Sequence, residues 1–118
     1  MWAVLMIEVT GGLVLGWVGW LALTGKLPRQ RFAGIRTGYT LSSDQRWEAV
    51  HRHGGPYLVF GAVAVVAAAL ALLPFAIAGA LPQVFTVAAV LAIAVVAVGS
   101  ALAAWRIGES RARAELGD

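Results

Sequence analysis

Glu8, Glu48, His51 and His53 are the side chains whose type and spacing raise the question of acid–base or metal chemistry. Glu48-Ala49-Val50-His51 has the Glu-x-x-His spacing that puts a carboxylate and an imidazole on one helical face, as carboxylate-bridged metal sites use it. Those sites draw further carboxylates from other helices, and here only Asp44 is near, so no metal site is assigned. His51 and His53 alternate and so point to different faces of a helix. There is no cysteine, which removes thiolate nucleophiles and cysteine-ligated metals. The serines and threonines assemble into no nucleophile–base–orienter set, and no glycine-rich phosphate loop follows a strand. The expectation is a protein without catalytic residues and without a cofactor.

Glu8 is a separate case. It is the only ionisable residue inside an apolar run, and such residues are functional candidates because burying a charge in lipid is costly. At ~1.5 Å per residue it lies about 9 Å along from Trp2, near the depth where Gln83 and Thr86 enter from another run. A carboxyl hydrogen-bonded to those two side chains is the structural alternative to a functional one. Neither of the other runs offers a basic partner, and a lone acid without a polar stripe gives little support to a transporter or channel subunit, the least favoured of the functions considered.

The most distinctive segment is the polar stretch 24–55, about 30 residues and long for a connection in so small a chain. After Gly25-Lys26-Leu27-Pro28 it reads Arg29-Gln30-Arg31-Phe32-Ala33-Gly34-Ile35-Arg36-Thr37-Gly38-Tyr39-Thr40-Leu41. Ser42 or Ser43 offers an N-cap, with Gln45 three residues after Ser42 in the manner of a capping box. A short amphipathic, interfacial helix over about 44–53 is expected, closed by Gly54-Gly55 before Pro56 opens the next apolar run. On it Trp47, Val50 and His51, with Leu41 just before, face the bundle or bilayer, while Asp44, Arg46, Glu48 and Arg52 face water. Arg36 is expected to bond carbonyls or Asp44, His51 to bond the loop backbone, and Trp47 to pin the helix, so that the segment folds as a cap.

Gly34-Ile35-Arg36-Thr37, then Thr40-Leu41, Ser43, Trp47 and His51 at their spacing, and Gly54-Gly55 ahead of an apolar run, resemble the signature of the SdpI family of bacterial membrane proteins. Gln30 stands where members often carry Asn, and Gly38 where they often carry Pro. Longer members have additional spans. The resemblance implies a role in immunity to a toxic peptide, or in signalling, at the bacterial cytoplasmic membrane.

The elements that must position these residues follow from composition. Of 118 residues 60% are hydrophobic and 13% charged, with a mean hydropathy of +0.81. A soluble domain carries about 25% charged residues, and one this small could not bury so much apolar surface. Three runs are long enough to cross a bilayer, over about 2–23, 56–78 and 82–105. The fold expected is a single all-α integral membrane domain over 1–118, with three transmembrane helices and a tight hairpin at Gly79-Ala80-Leu81. The tail 106–118 is read as a mixed-charge helical extension serving orientation and solubility.

Six of the nine Lys and Arg lie between Lys26 and Arg52, and three between Arg106 and Arg113. Both clusters flank apolar runs, which points to a membrane surface, not nucleic acid. By the positive-inside rule they lie in the cytoplasm and the N-terminus outside. Small-residue faces at Gly12, Gly16 and Gly19, at Gly61, Ala64, Ala68 and Ala71, and at Ala97, Ser100, Ala101 and Ala104 offer close helix contacts. They serve a three-helix bundle or a homo-oligomer. The partners expected are the lipid bilayer from this composition, a membrane-active peptide as the family resemblance implies, or a membrane or cytoplasmic protein, the last making the chain a small accessory subunit of a larger complex.

Overall fold

The computed structural model describes residues 2–118. Three helices carry the chain: α1 over Trp2–Leu23, α2 over Asp44–Ile77 and α3 over Gln83–Leu116, with a single 3₁₀ turn at Thr40–Ser42 between the first two. All three are long and apolar enough to cross a membrane, and there is no strand among the described residues.

At 34 residues each, α2 and α3 are about 51 Å long by helical rise, well beyond the ~30 Å of a hydrocarbon core. The molecule is correspondingly elongated, 54 Å by 20 Å by 19 Å. The apolar part of α2 is its C-terminal two thirds and that of α3 its N-terminal two thirds. The two run antiparallel through a short turn over 78–82, where Gly79 takes φ +69° and Ala80 N–H donates to Phe75 O at 3.0 Å. Their polar ends, 44–55 and 106–116, therefore emerge side by side at the same end of the bundle as the loop 24–43.

Among the described residues there is no separate interfacial helix. The helix expected over 44–53 is the first part of α2, which continues through Gly54, Gly55 and Pro56. Neither glycine has positive φ, so neither caps anything. They are there because backbones approach closely. A Cβ on Gly54 would collide with the carbonyl oxygen of Ala104 in α3, and one on Gly55 would lie 2.8 Å from Leu23 N and 3.0 Å from Gly19 O in α1. Pro56, like Pro74 further on, removes one helical hydrogen bond without ending the helix.

α2 is the central element, packed on both α1 and α3, which hardly meet each other. Gly12, Gly16 and Gly19 lie against Val65 and Val66, Ala62, and Leu58 and Val59 of α2, as the small-residue reading expected of α1. On α2 the face is turned from the expected one. Gly61 is buried against Ser100, but Ala64 and Ala71 are exposed, and Gly54, Leu58, Gly61, Ala62, Val65 and Ala69 do the packing. On α3 Ala104 is buried, with Ala97 and Ser100 half-buried, while Ala101 is exposed. Near the start of α1, Leu5 and Val9 join Val65, Ala69 and Ile93 in a cluster that ties all three helices.

Candidate functional site

Nearly every residue of the sequence signature is used to hold one folded cap. Ser43 is the N-cap of α2, its Oγ accepting from Arg46 N at 3.1 Å, whereas the Ser42–Gln45 capping box does not form. One turn on, Trp47 is buried and its Nε1 donates to Leu27 O at 2.8 Å, which ties the loop's first residues to α2. One further turn places His51, also buried, stacked on Trp47 with ring centroids 4.1 Å apart.

His51 closes the cap from beneath. Ile35 N–H donates to His51 Nε2 at 2.8 Å, so Nε2 carries no proton, and Nδ1, 2.7 Å from Trp47 O, must carry the one proton of a neutral ring. Burial, which disfavours the cation, holds its pKa below the usual histidine value and agrees with that assignment. Both ring nitrogens are thereby occupied, and His51 has no lone pair to offer a metal alongside Glu48.

The Gly34–Thr40 segment wraps onto this pair. Gly34 takes φ +99°, and a Cβ there would lie 2.7 Å from His51 Nε2 and 3.3 Å from Trp47 Cη2, so only glycine fits. Thr40 is wholly buried: its hydroxyl donates to Ile35 O at 2.8 Å and accepts from Thr37 N at 2.8 Å. Thr37 Oγ1 in turn accepts from Thr40 N at 3.2 Å. Arg36 reaches the carbonyl of Arg31, and Asp44 pairs with Arg29 at 3.0 Å. Gln30 closes its own small turn, its Oε1 accepting from Phe32 N and Ala33 N. Phe32, at the tip, is 92% exposed.

The tail supplies a wall the sequence reading did not foresee. Asp118 accepts from Tyr39 OH at 2.7 Å and forms a two-point pair with Arg46, and Glu115 binds Arg52 and His53. Arg46 and Arg113 both lie over the Tyr39 ring, at 5.0 and 4.2 Å. The Tyr39 and Arg46 hydrogen bonds hold the Asp118 carboxyl below the usual range, and the His53 hydrogen bond with the Arg52 charge does the same for Glu115. Gly108 brings α3 against Val50 O and Gly54 of α2. The only available signal was charge order: the basic residues of 46–53 match acids at 115 and 118, but pairing them requires knowing that α2 and α3 are antiparallel.

Below the cap, the gap between α1 and α3 is an apolar groove floored by α2. Two adjoining cavities, of about 490 and 440 Å³, share Gly11, Leu15 and Ala101 as lining residues. Phe32, Ala33, Gly34 and Ile35 of the cap line one end, and Glu8 lines the other. Glu8 does not meet Gln83 or Thr86. Thr86 donates to Pro82 O within its own helix, Gln83 is exposed, and Glu8 Oε2 is buried without a hydrogen-bond partner among the described residues. The signature residues are thus brought together in one cap, whereas Glu8 stands apart, half-buried at the other end of the groove that the cap roofs.

No curated protein and no solved structure matches the chain. A family model does, the SdpI/YfhL protein family, over residues 26–101. The match begins at the loop, takes in the whole cap-forming signature and α2, and runs through most of α3, leaving α1 and the tail outside it. With well over half of the sequence matched, and with three apolar helices around that signature, this chain is a multi-pass membrane protein belonging to the SdpI/YfhL family.

Proposed function

We propose that the chain is an immunity-type module of the bacterial cytoplasmic membrane that protects against a membrane-active peptide by binding, not catalysis, or signals that peptide's presence. The observation that carries this reading is the use of the signature itself. Gly34, Ile35, Thr37, Thr40, Ser43, Trp47 and His51 are consumed in mutual hydrogen bonds and packing, which leaves none of these seven free for acid–base work and produces a rigid cap at one end of an open groove. Rigid loops present recognition surfaces well. All nine Lys and Arg lie in the loop, the polar start of α2 and the end of α3, so the positive-inside rule puts the cap in the cytoplasm and the N-terminus outside.

The test is protection. Cells lacking the gene, challenged with a panel of membrane-active peptides, should lose survival against at least one and regain it on complementation. Unchanged survival against all of them would sink the reading. Complementation with Gly34→Ala should fail, because the new methyl group and the φ of +99° together cost the cap about 2 kcal/mol or more.

A second reading, an accessory subunit of a larger membrane complex, is favoured by Ala64 and Ala71, small residues of α2 that face away from the bundle. Native sizing after gentle extraction separates the two, since a free monomer speaks against a subunit.

A further inference from the structure

We propose that the tip of the cap loop, Arg31-Phe32-Ala33, is seated in the bilayer surface, with Phe32 at the acyl boundary and Arg31, Arg36 and Arg106 on the phosphate of an anionic phospholipid. This contact goes beyond the immunity reading and is independent of it, and of which side of the membrane the cap faces.

The fold sets the tip at the depth of that boundary. Phe32 and Ala33 line one cavity together with Leu102 and Trp105 of α3 and Val18 of α1. Leu102 and Trp105 belong to the last turn of the apolar part of α3, which gives way to charge at Arg106. The loop is thus folded back to the level where the hydrocarbon ends. At that level Phe32 is 92% exposed, so almost no protein surface covers it. An apolar side chain flanked by basic ones at such a level enters the headgroup and acyl boundary.

The tip is also built to leave water. Gln30 Oε1 accepts from Phe32 N and Ala33 N at 2.7 and 2.9 Å, and Gln30 Nε2 donates to Ala33 O at 2.8 Å. Arg36 Nη1 donates to Arg31 O. These backbone groups keep their partners when the surrounding water is replaced by lipid, which is the condition for irregular backbone to enter a membrane boundary.

Charge selects the lipid. Arg29, Arg46, Arg52 and Arg113 each pair with a carboxylate, whereas Arg31, Arg36 and Arg106 pair with none among the described residues. Arg31 adjoins Phe32, Arg36 is bonded to the Arg31 carbonyl, and Arg106 lies over the Trp105 ring at 4.6 Å. Glu109, on the next turn of α3, is already held by Trp105 Nε1 and Arg113. A guanidinium grips a phosphate through a two-point fork, and basic groups beside a membrane favour its anionic lipids.

The experiment uses the full chain in lipid nanodiscs of phosphatidylcholine alone or of an equal mixture with phosphatidylglycerol. All four phenylalanines are replaced by para-fluorophenylalanine during expression, and Phe32→Leu identifies the loop resonance. Fluorine relaxation is read with a spin label carried near the lipid headgroup and, separately, with a water-soluble gadolinium chelate. The ratio of the two effects at Phe32 reports how far it is immersed, with Phe60 on α2 as the lipid-facing reference.

That ratio should rise by about fivefold or more from phosphatidylcholine to the mixture. It should fall about fivefold for Arg31→Gln and again for Arg106→Gln, the size expected of one arginine at an anionic surface. Neither side chain makes a hydrogen bond among the described residues, so neither substitution disturbs the cap. A ratio that is the same in both bilayers overturns the inference, as does one that ignores both substitutions. A rise in pure phosphatidylcholine on adding inorganic phosphate would assign the arginines to a free anion. Shielding of Phe32 from both agents would assign it to a contact between copies of the chain, and either result overturns the inference too.

Discussion

Gly54→Ala is expected to destabilise the bundle by about 3 kcal/mol, at the upper end of what one added methyl group does in a packed interior. The reason is the kind of atom it meets. The new Cβ would fall inside the van der Waals envelope of the Ala104 carbonyl oxygen, 3.1 Å from its carbon and 3.2 Å from Ile35 Cδ1. A side chain can rotate away from a methyl group, but a carbonyl inside α3 can yield only by moving the helix. Separating α2 from α3 here also lifts Ile35 off the cap core that it shares with Val50, Leu58 and Ala104. Unfolding in mixed micelles, followed by Trp fluorescence, should show the loss. Gly99→Ala is the internal control: a Cβ at Gly99 meets nothing within 4 Å, so the same change should be neutral or stabilising by a few tenths of a kcal/mol. Equal effects at the two positions would exclude close packing as the reason for Gly54.

His51→Ala is expected to open the cap without unfolding the spans, at a cost of about 3 kcal/mol to cap closure. Truncation orphans the buried Ile35 N–H, removes the ring stacked on Trp47 and leaves a cavity beneath Gly34. His51→Phe separates these terms, since it keeps a stacked ring and loses only the acceptor. Amide exchange at Ile35 and Thr37 is the readout. Exchange should rise by orders of magnitude in the alanine variant while amides in the middle of α2 stay protected.

Protonation should imitate that lesion. Nε2 accepts the Ile35 N–H, so adding a proton there forces the hydrogen bond to break. The native pKa lies below the ordinary 6.5 because burial disfavours the cation. A depressed pKa means the contribution of neutral His51 is complete above about pH 6.5 and is lost as pH falls from there through the lowered native value. Exchange at Ile35, taken relative to the intrinsic rate of a fully open amide at each pH, should increase over that window in the wild type and stay flat in His51→Phe, which would confirm the assignment. An increase of that relative rate in both would place the titrating group elsewhere.

The sequence determined the membrane class, the number of spans and the existence of a cap, because these depend on local quantities. Apolar runs of spanning length, a chargeless turn at residues 79–81 and the spacing of Ser43, Trp47 and His51 along one helix can be read without knowing any long-range contact. It also determined three of the α1 residues that pack, since Gly12, Gly16 and Gly19 stand out among larger neighbours, but not Leu5, Val9 and Ala22. Only the tertiary structure decided the rest. The spans are apolar all round, so hydrophobic periodicity holds no record of which face of α2 is inside, and Ala64 was as good a candidate as Ala62.

Gly54-Gly55-Pro56 reads locally as a stop, yet those glycines serve the approach of α3 and α1, and the helix passes through them. The pairing of Glu115 and Asp118 with Arg52 and Arg46 spans more than 60 residues and exists only once α2 and α3 lie antiparallel. The position of Glu8 was decided in the same way. Its depth along α1 follows from helical rise, but which neighbour it faces depends on how α1 leans on α2, and that lean leaves it over the open groove instead of against Gln83 and Thr86.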